Sequence, residues 1–398
     1  MAIAASGAET QPRQSRGRLF SYAIEFEKGG LVLHGEEHPA CTFIVKDEPE
    51  WHRLLCSDAY ELALAFIHAK FEVEGDLVEA VKIYRSLSAT RSRLAPRTIA
   101  AYLWHQLRSR VNRGSSATDI RFHYDRSNEF YGTFLDSRMV YSCAYFQTQE
   151  TSLEKAQLAK LNHICRKLQL LVGDRFLDVG CGWGALVLHA ADEYGAFSTG
   201  CTLSAEQRAW AVEEATRRHL TPRVEILECD YRELTGKFDK IASVGMFEHV
   251  GLRQLRTYFL QIRLLLADGG LFLNHGIVRP ECVRTGPETM FLARHVFPGG
   301  ELLRLTDIVQ CAEYVGFEVV DLENLRPHYA LTCRAWVSHL TVNREKCLEW
   351  VDPGTYRTWL LYLAASAASF ESGDTEVHQI LFANRGGERP LTRDYLYR

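Results

Sequence analysis

The sequence predicts an α/β protein in which a Rossmann-like sheet follows a smaller N-terminal α+β domain. From Arg175 onward the chain repeats a buried strand, a turn and a helix, which is typical of a parallel sheet covered on both faces. A glycine-rich turn follows the first of these strands, at the sheet edge where such folds bind ligands. Before Leu87 the chain instead mixes short alternating runs with one amphipathic segment.

The repeating region predicts seven strands, which lie at 175–179, 197–203, 223–229, 238–244, 271–277, 317–322 and 378–383. Helices are expected after Gly184, from Ser204 to Arg218 and from Leu252 to Leu266. The turn Asp268-Gly-Gly is expected before the fifth strand, and two helices are expected between about Arg334 and Phe370.

The N-terminal region predicts a small unit of strands and helices. Residues 30–34 and 41–45 alternate as strands do, and Asp58 stands where a helix cap belongs. Residues 1–16 are polar and carry no apolar core, so we expect a disordered tail and no export signal.

Composition excludes several classes of protein. The 398 residues carry 46 Lys+Arg and 50 Asp+Glu, so the net charge of −4 does not indicate a nucleic-acid partner. The 11 cysteines contain no Cys-x-x-Cys pair, which predicts reduced thiols in a cytoplasmic protein and no metal site. A membrane-spanning helix needs about 20 consecutive apolar residues, and no apolar run in the sequence is that long.

One stretch is strongly basic. Between Glu79 and Asp119 there is no acidic residue, while eight residues are Lys or Arg and apolar side chains recur at helical spacing beside Trp104. Such a basic amphipathic helix is typical of binding to an anionic lipid surface. A linker helix with a solvated basic face explains the composition as well, and composition alone slightly favours it. Nucleic acid is a third interpretation, without a recognition motif.

The glycine-rich turn indicates the kind of cofactor. Its sequence, DVGCGWG at 178–184, has Gly-x-Gly-x-Gly spacing and not the Gly-x-Gly-x-x-Gly of dinucleotide folds. The second strand ends in Cys201-Thr-Leu-Ser, where an NAD enzyme would carry a carboxylate. Asp178 and Asp230 end the first and third strands. Acids at these two positions suit S-adenosylmethionine, which brings a cationic amino-acid end and no pyrophosphate.

Together, five motifs resemble the cyclopropane-fatty-acid synthase family: HYDRSN at 123–128, YSCAYF at 141–146, DVGCGWG at 178–184, TLSAEQ at 202–207 and GMFEHVG at 245–251. The resemblance runs from about His123 to the C-terminus. It implies a seven-stranded methyltransferase sheet and transfer of the methyl carbon of S-adenosylmethionine to a cis double bond of a phospholipid acyl chain. A carbocation then loses a proton to a bound bicarbonate ion, and a cyclopropane ring closes.

The resemblance also implies which residues form the site. The catalytic residues, which hold the bicarbonate, are expected to be Cys143, Glu248, His275, Ile277 and Tyr329. The cofactor-binding residues are expected to be Tyr141, Ser142, Asp178, Gly180, Gly182, Thr202, Gln207, Asp230 and Tyr231. His249 is expected to be structural, and Gly276 is expected to loosen the bicarbonate site because many relatives carry a β-branched residue there.

The resemblance extends to domains and partners. It implies a lipid-associated N-terminal domain at 17–112, a catalytic domain at 113–398 and part of an acyl-chain tunnel at 279–300. The expected partner is unsaturated phospholipid at the inner face of the cytoplasmic membrane, and a homodimer is possible. Three alternatives stay open: methylation of a small amine, a methyl- or methylene-branched acyl product, and a lipid-binding protein without activity.

Overall fold

The computed structural model describes residues 20–88, 127–283, 291, 296, 301–387 and 391–396. They belong to two compact units that divide between Ile99 and Ala100. The predicted tail, the basic stretch beyond Ser88 and the predicted domain boundary at 112/113 lie outside the described residues.

The first unit is built on a four-stranded sheet with the order β2-β1-β3-β4. Its strands are β1 (Tyr22–Phe26), β2 (Leu31–His34), β3 (Cys41–Val45) and β4 (Glu72–Gly75), and its helices are α1 (Glu48–Cys56), α2 (Ala59–Ile67) and α3 (Leu77–Ser88). Asp58 accepts a hydrogen bond from the Glu61 N–H at 2.9 Å, so the predicted helix cap is confirmed. The alternating runs did not indicate β1 or β4.

The second unit contains the predicted sheet of seven strands, in the order β10-β11-β9-β8-β5-β6-β7. These are β5 (Arg175–Val179), β6 (Phe197–Thr202), β7 (Val224–Glu228), β8 (Phe238–Val244), β9 (Leu266–Val278), β10 (Phe317–Asn324) and β11 (Glu376–Asn384). Strand β11 is antiparallel to both of its neighbours, and the other pairs are parallel. The carboxyl ends of β5 to β9 therefore meet at one edge.

Helices cover both faces of this sheet. They are α4 (Asn128–Gly132), α5 (Leu153–Lys167), α6 (Ala185–Tyr194), α7 (Ala205–Arg217), α8 (Gly251–Leu265), α9 (Leu305–Tyr314), α10 (Arg326–Val342), α11 (Arg344–Leu348) and α12 (Pro353–Ser372). Apolar side chains of α8 and α9 pack on strand residues such as Leu177 and Ile241. Those of α5 and α6 pack on the alternate residues Phe176 and Ala242, which face the other side of the sheet. Two apolar cores thus cover the two faces of the sheet.

Two predicted elements differ from the structure. The expected turn at 268–270 lies inside β9, where Phe238 pairs with Leu266 and Lys240 pairs with Leu271. The glycines therefore form a bulge, because the pairing with β8 continues on both sides of them. The expected pair of helices near the C-terminus is three helices, of which α10 already begins at Arg326.

In the ranges described above, no helix is both long enough and apolar enough to cross a membrane. Likewise, no group of three or more His, Cys, Asp or Glu side chains in those ranges could hold a metal ion.

Candidate active site

The glycine-rich turn after β5 has a backbone that favours glycine. Gly180, Gly182 and Gly184 have φ of 78°, 55° and 79°, in the left-handed region. The Gly180 N–H donates to the Cys201 carbonyl at 3.0 Å, which ties the turn to β6. A Cβ at Gly180 would lie 2.6 Å from Cγ of Met246. The turn is thus held close to the segment that follows β8, and only glycine fits there.

A cavity of about 290 Å³ opens beside this turn, at the carboxyl ends of the strands. All nine residues expected to bind cofactor line it: Tyr141, Ser142, Asp178, Gly180, Gly182, Thr202, Gln207, Asp230 and Tyr231. The geometry brings this predicted set together at one place, and their roles stay predictions.

Asp178 is the buried acid of the cavity. Its side chain is 3% exposed, and its Oδ1 atom has no hydrogen-bond partner among the described residues. Burial raises the pKa of this carboxyl to about 7, and the positive charge of Lys160 opposes the rise. A cationic ligand group in the cavity would supply the missing partner and favour the ionised form.

The part of the cavity at the ends of β6 and β7 is held by short polar contacts. Thr202 Oγ1 donates to Gln207 Oε1 at 2.8 Å, which links the end of β6 to the first turn of α7. Asp230 accepts from the Arg232 guanidinium at 2.8 and 2.6 Å, and this lowers the pKa of Asp230. The Asp230 carboxylate therefore stays ionised at the cavity edge, already bonded to a neighbouring cation.

Tyr141 forms part of an aromatic wall. Its ring centroid lies 5.1 Å from that of Trp336 and 5.6 Å from that of Tyr131. Tyr131 in turn packs on Trp183 of the glycine-rich turn at 5.0 Å. Two rings of this wall, Tyr141 and Trp183, line the cavity, and aromatic ring faces attract cations.

None of the five residues expected to be catalytic lines this cavity, although Cys143 and Glu248 adjoin the lining residues Ser142 and His249 in sequence. Glu248 belongs to a short 3₁₀ helix (Phe247–His249) after β8, and its Oε1 accepts from the Ile277 N–H at 2.7 Å. Its Oε2 has no partner among the described residues. Burial raises the pKa of Glu248 to about 7, and the bond from Ile277 opposes the rise. A carboxyl group with this pKa can accept or donate a proton near neutral pH.

His275 lies on β9, two residues before Ile277, and is 1% exposed. Its Nδ1 is 3.0 Å from Nε2 of Gln379 on β11. Because an amide nitrogen donates, Nδ1 accepts and the neutral ring carries its proton on Nε2. Nε2 has no partner in the described part of the chain, and burial holds the pKa of His275 well below its usual range. The ring thus offers an unpaired N–H donor.

Cys143 and Tyr329 are joined through the start of α10. The Cys143 thiol faces the Leu325 carbonyl at 3.9 Å, and the Ala144 N–H donates to Thr332 Oγ1 at 3.0 Å. Tyr329 stacks on Phe370 at 4.5 Å between ring centroids. Burial raises the pKa of the Tyr329 hydroxyl, and the nearby Cys143 and Glu248 add to the rise. Three of the expected groups, Cys143, Tyr329 and Glu248, therefore lie near one another.

Gly276 does not leave a space between His275 and Ile277. A Cβ built at Gly276 would lie 1.9 Å from Cε1 of Phe247. The ring of Phe247, which is 1% exposed, fills that position. The glycine therefore admits the ring of the residue next to Glu248, and the expected loosening of the bicarbonate site stays a prediction.

Sequence reasoning missed several residues that line the cavity, among them Lys160, Trp183 and His249. His249, expected to be structural, lines the cavity, whereas Glu248 does not. Lys160 had a detectable signal, because it falls on the apolar face of α5 with Ala156, which is also buried. Of the expected tunnel, the structure describes 279–283 and the buried Phe291 and Val296, and the rest lies outside the described ranges.

Known proteins share this architecture. Residues 111–380 match the family model described as mycolic acid cyclopropane synthetase. A "probable fatty acid methyltransferase" of Pseudomonas putida is 40% identical over 90% of this chain and 92% of its own length. The cyclopropane-fatty-acyl-phospholipid synthase of Escherichia coli K12 is 37% identical over 68% of each chain. Mycolic acid cyclopropane synthase CmaA1, solved with SAH and CTAB, matches 67% of this chain and 97% of its own with a TM-score of 0.64 at 32% identity.

Proposed function

We propose that this chain, which belongs to the cyclopropane synthetase family of S-adenosylmethionine-dependent methyltransferases, acts on unsaturated phospholipid acyl chains. The methyl carbon of the donor forms a bond to one alkene carbon, and the sulfur keeps the electron pair of the broken bond. The resulting carbocation loses a proton from the transferred methyl, and the pair left behind closes the three-membered ring. The observation that supports this best is the unpartnered polar atom that each of the buried residues Glu248 and His275 retains, in a protein whose cavity suits the donor.

S-adenosylmethionine fits the cavity by its charges. The unpartnered Oδ1 of Asp178 suits the donor's ammonium group, and the glycine-rich turn admits a ligand close to the backbone. When bound, this donor supplies an electrophilic methyl carbon on sulfur. Tyr141 and Trp183 would border it with ring faces that attract a cation.

A bicarbonate ion fits the groups behind the cavity in part. The Nε2–H of His275 is an unpaired donor, and a protonated Glu248 would donate through its unpartnered Oε2. The Ile277 N–H, by contrast, already bonds Glu248 at 2.7 Å. We therefore assign Glu248, His275, Tyr329 and Cys143 to hold the anion and Ile277 to orient Glu248. When bound, bicarbonate supplies a base for the proton that leaves the substrate.

A second product is favoured by one relative. The Pseudomonas protein that matches along most of this chain is described as a fatty acid methyltransferase. The same carbocation gives a methyl-branched alkene if a proton leaves a neighbouring chain carbon. The position of the base relative to the transferred carbon decides between the two products.

The exposed face of α8 supports the proposal that the protein binds a membrane surface. We define this face as Leu252, Arg253, Arg256, Leu260, Arg263 and Leu264, all of which are exposed. The helix carries no acidic residue, and Arg256 also lies 4.9 Å over the ring of the exposed Tyr314. Leucines interleaved with arginines are typical of helices that lie in an anionic lipid interface. The face begins next to Val250, which lines the cavity.

Vesicle binding tests this surface. We expect Arg256→Glu with Leu260→Ser and Leu264→Ser to weaken binding to phosphatidylglycerol-containing vesicles by about tenfold or more, since each basic residue contributes about 1 kcal/mol near such a surface. The matched control is Leu171→Ser with Val172→Ser, which removes two exposed apolar side chains from a turn elsewhere. Equal sedimentation of the face variant and the control with vesicles would remove the lipid role of this face.

Product analysis tests the proposed reaction. The protein is incubated with S-adenosylmethionine, bicarbonate and vesicles of monounsaturated phospholipid, and the fatty esters are analysed by mass spectrometry. We expect a product that gains one methylene and resists reagents that add to alkenes. Vesicles with saturated chains are the control and should give no product. A methylated product that still reacts as an alkene would favour the branched alternative.

A further inference from the structure

Lys160 is a buried lysine that the proposed chemistry has not yet used. It lies on α5, is 2% exposed, and lines the same cavity as Asp178. Lysine side chains are rarely buried without a partner, because an ammonium group loses its hydration in the interior.

The partners of Lys160 in the described part of the chain are few. Its Nζ donates to the Ser142 hydroxyl at 3.0 Å. No carboxylate of the described residues forms an ion pair with it, although Asp136 and Asp178 lie near enough to favour its charge. An ammonium group has three hydrogens to donate. Ser142 accepts one, so the buried cation retains donor capacity beside the cavity.

Whereas Lys160 has donor capacity left, Asp178, which lines the same cavity, lacks a hydrogen-bond donor. Its buried Oδ1 lacks a hydrogen-bond donor among the described residues. Yet Asp178 and Lys160 do not bond each other, so neither satisfies the other. A cation and an anion that both line one cavity, unpaired and out of contact, complement a ligand that carries both charges.

We propose that Lys160 binds the carboxylate of the amino-acid end of S-adenosylmethionine, while Asp178 binds the ammonium group of the same end. Ser142 orients Lys160 through its hydroxyl. This inference rests on the proposed function for the identity of the ligand. It adds a residue that fixes the cofactor by charge and not only by the shape of the glycine-rich turn.

A structural role for Lys160 predicts a different outcome. If Lys160 only ties Ser142 to α5, its loss would disturb the whole cavity wall and lower the affinity for every nucleoside ligand alike. If Lys160 binds the carboxylate, its loss lowers the affinity only for ligands that carry a carboxylate.

Calorimetry with two ligands separates these roles. S-adenosylhomocysteine carries the amino-acid end, and 5′-methylthioadenosine is the same nucleoside thioether without it. We expect Lys160→Met and Lys160→Gln to lower the affinity for S-adenosylhomocysteine by about tenfold or more. The affinity for methylthioadenosine should change by less than about twofold. Retained binding of methylthioadenosine also shows that the variants fold. Lys155→Met, an exposed lysine of the same helix, is the charge control and should change neither affinity.

Two results would overturn the inference. Equal weakening of both ligands would make Lys160 structural, and unchanged affinity for S-adenosylhomocysteine would show that its carboxylate binds elsewhere. Decarboxylated S-adenosylhomocysteine provides a test on the unaltered protein, which should bind it about tenfold less tightly than the parent; equal binding of the two would also contradict the inference. If the unaltered protein binds neither nucleoside, the proposed function fails and not merely the role of Lys160.

Discussion

Glu248, His275 and Asp178 each bury one polar atom that has no hydrogen-bond partner in the described ranges. Leaving such an atom unpaired costs about 1–3 kcal/mol. Burial also moves the pKa of each group toward the value that favours its neutral form. At the residue scale, the site is therefore destabilising by itself, and a bound ligand would offset that cost.

Glu248→Gln should separate catalysis from stability. The pKa of Glu248 rises from 4.5 to about 7 in the folded protein, so its contribution to stability is full below pH 4.5 and is lost as the pH rises through about 7. Glutamine keeps an oxygen for the Ile277 N–H and never ionises. Above pH 7 the variant should be more stable than the parent by on the order of 3 kcal/mol, and it should form product far more slowly.

Urea unfolding at pH 4 and pH 8 checks this prediction, with Glu213→Gln on the exposed side of α7 as control. The parent protein and Glu248→Gln should have similar stability at pH 4 and differ at pH 8. Normal turnover by Glu248→Gln would exclude Glu248 from the reaction.

At the scale of elements, the sequence predicted what local patterns determine. The alternation of strands and helices predicted all seven strands of the large sheet, and the glycines predicted the turn after β5. The bulge at 267–270 could not be predicted, because Asp268-Gly-Gly is equally suited to a turn and only pairing with β8 selects the bulge. The helices α5 and α9 were missed as well, although α5 places Lys160 in the cavity.

The residues expected to be catalytic could be chosen only through the family resemblance. Cys143, Glu248, His275 and Tyr329 are far apart in sequence, and no local spacing relates them to one another. Glu248 bonds the Ile277 N–H and His275 bonds Gln379, and each group keeps one further atom unpaired. These partners are distant in sequence, so no local pattern reveals them.

Gly276→Ala tests how β9 and the 3₁₀ helix fit together. The new methyl would collide with Phe247 and displace the element that carries Glu248. We expect a loss of about 1–3 kcal/mol in the free energy of unfolding, together with a lower kcat. Adding Phe247→Leu should restore part of the stability and part of kcat, since the smaller side chain leaves room for the added methyl. Additive effects of the two changes would show that this contact does not position Glu248.

At the scale of the whole molecule, a rigid sheet presents the cavity at one edge. Residues at four strand ends and in the segment before α5 line it, so a ligand there contacts only the folded arrangement. A ligand that binds only the folded state stabilises it by mass action. Ligand binding and global stability should therefore be coupled.

S-adenosylmethionine at a hundred times its Kd should raise the free energy of unfolding by about 2.7 kcal/mol. Asp178→Asn keeps the shape of the side chain and removes its charge, so it should lose most of this stabilisation while the protein alone unfolds at a similar or higher temperature. Thermal unfolding with and without the ligand measures both quantities. Full stabilisation of the variant would show that Asp178 does not bind the ammonium group.

The fate of the methyl hydrogens tests the central claim most directly. With S-adenosylmethionine whose transferred methyl carries three deuterium atoms, and with monounsaturated phospholipid, ring closure must remove one deuterium. We predict a saturated, alkene-unreactive acyl product that retains two of the three. A product that retains all three would show that the base takes its proton from the acyl chain, and would contradict ring formation by this protein.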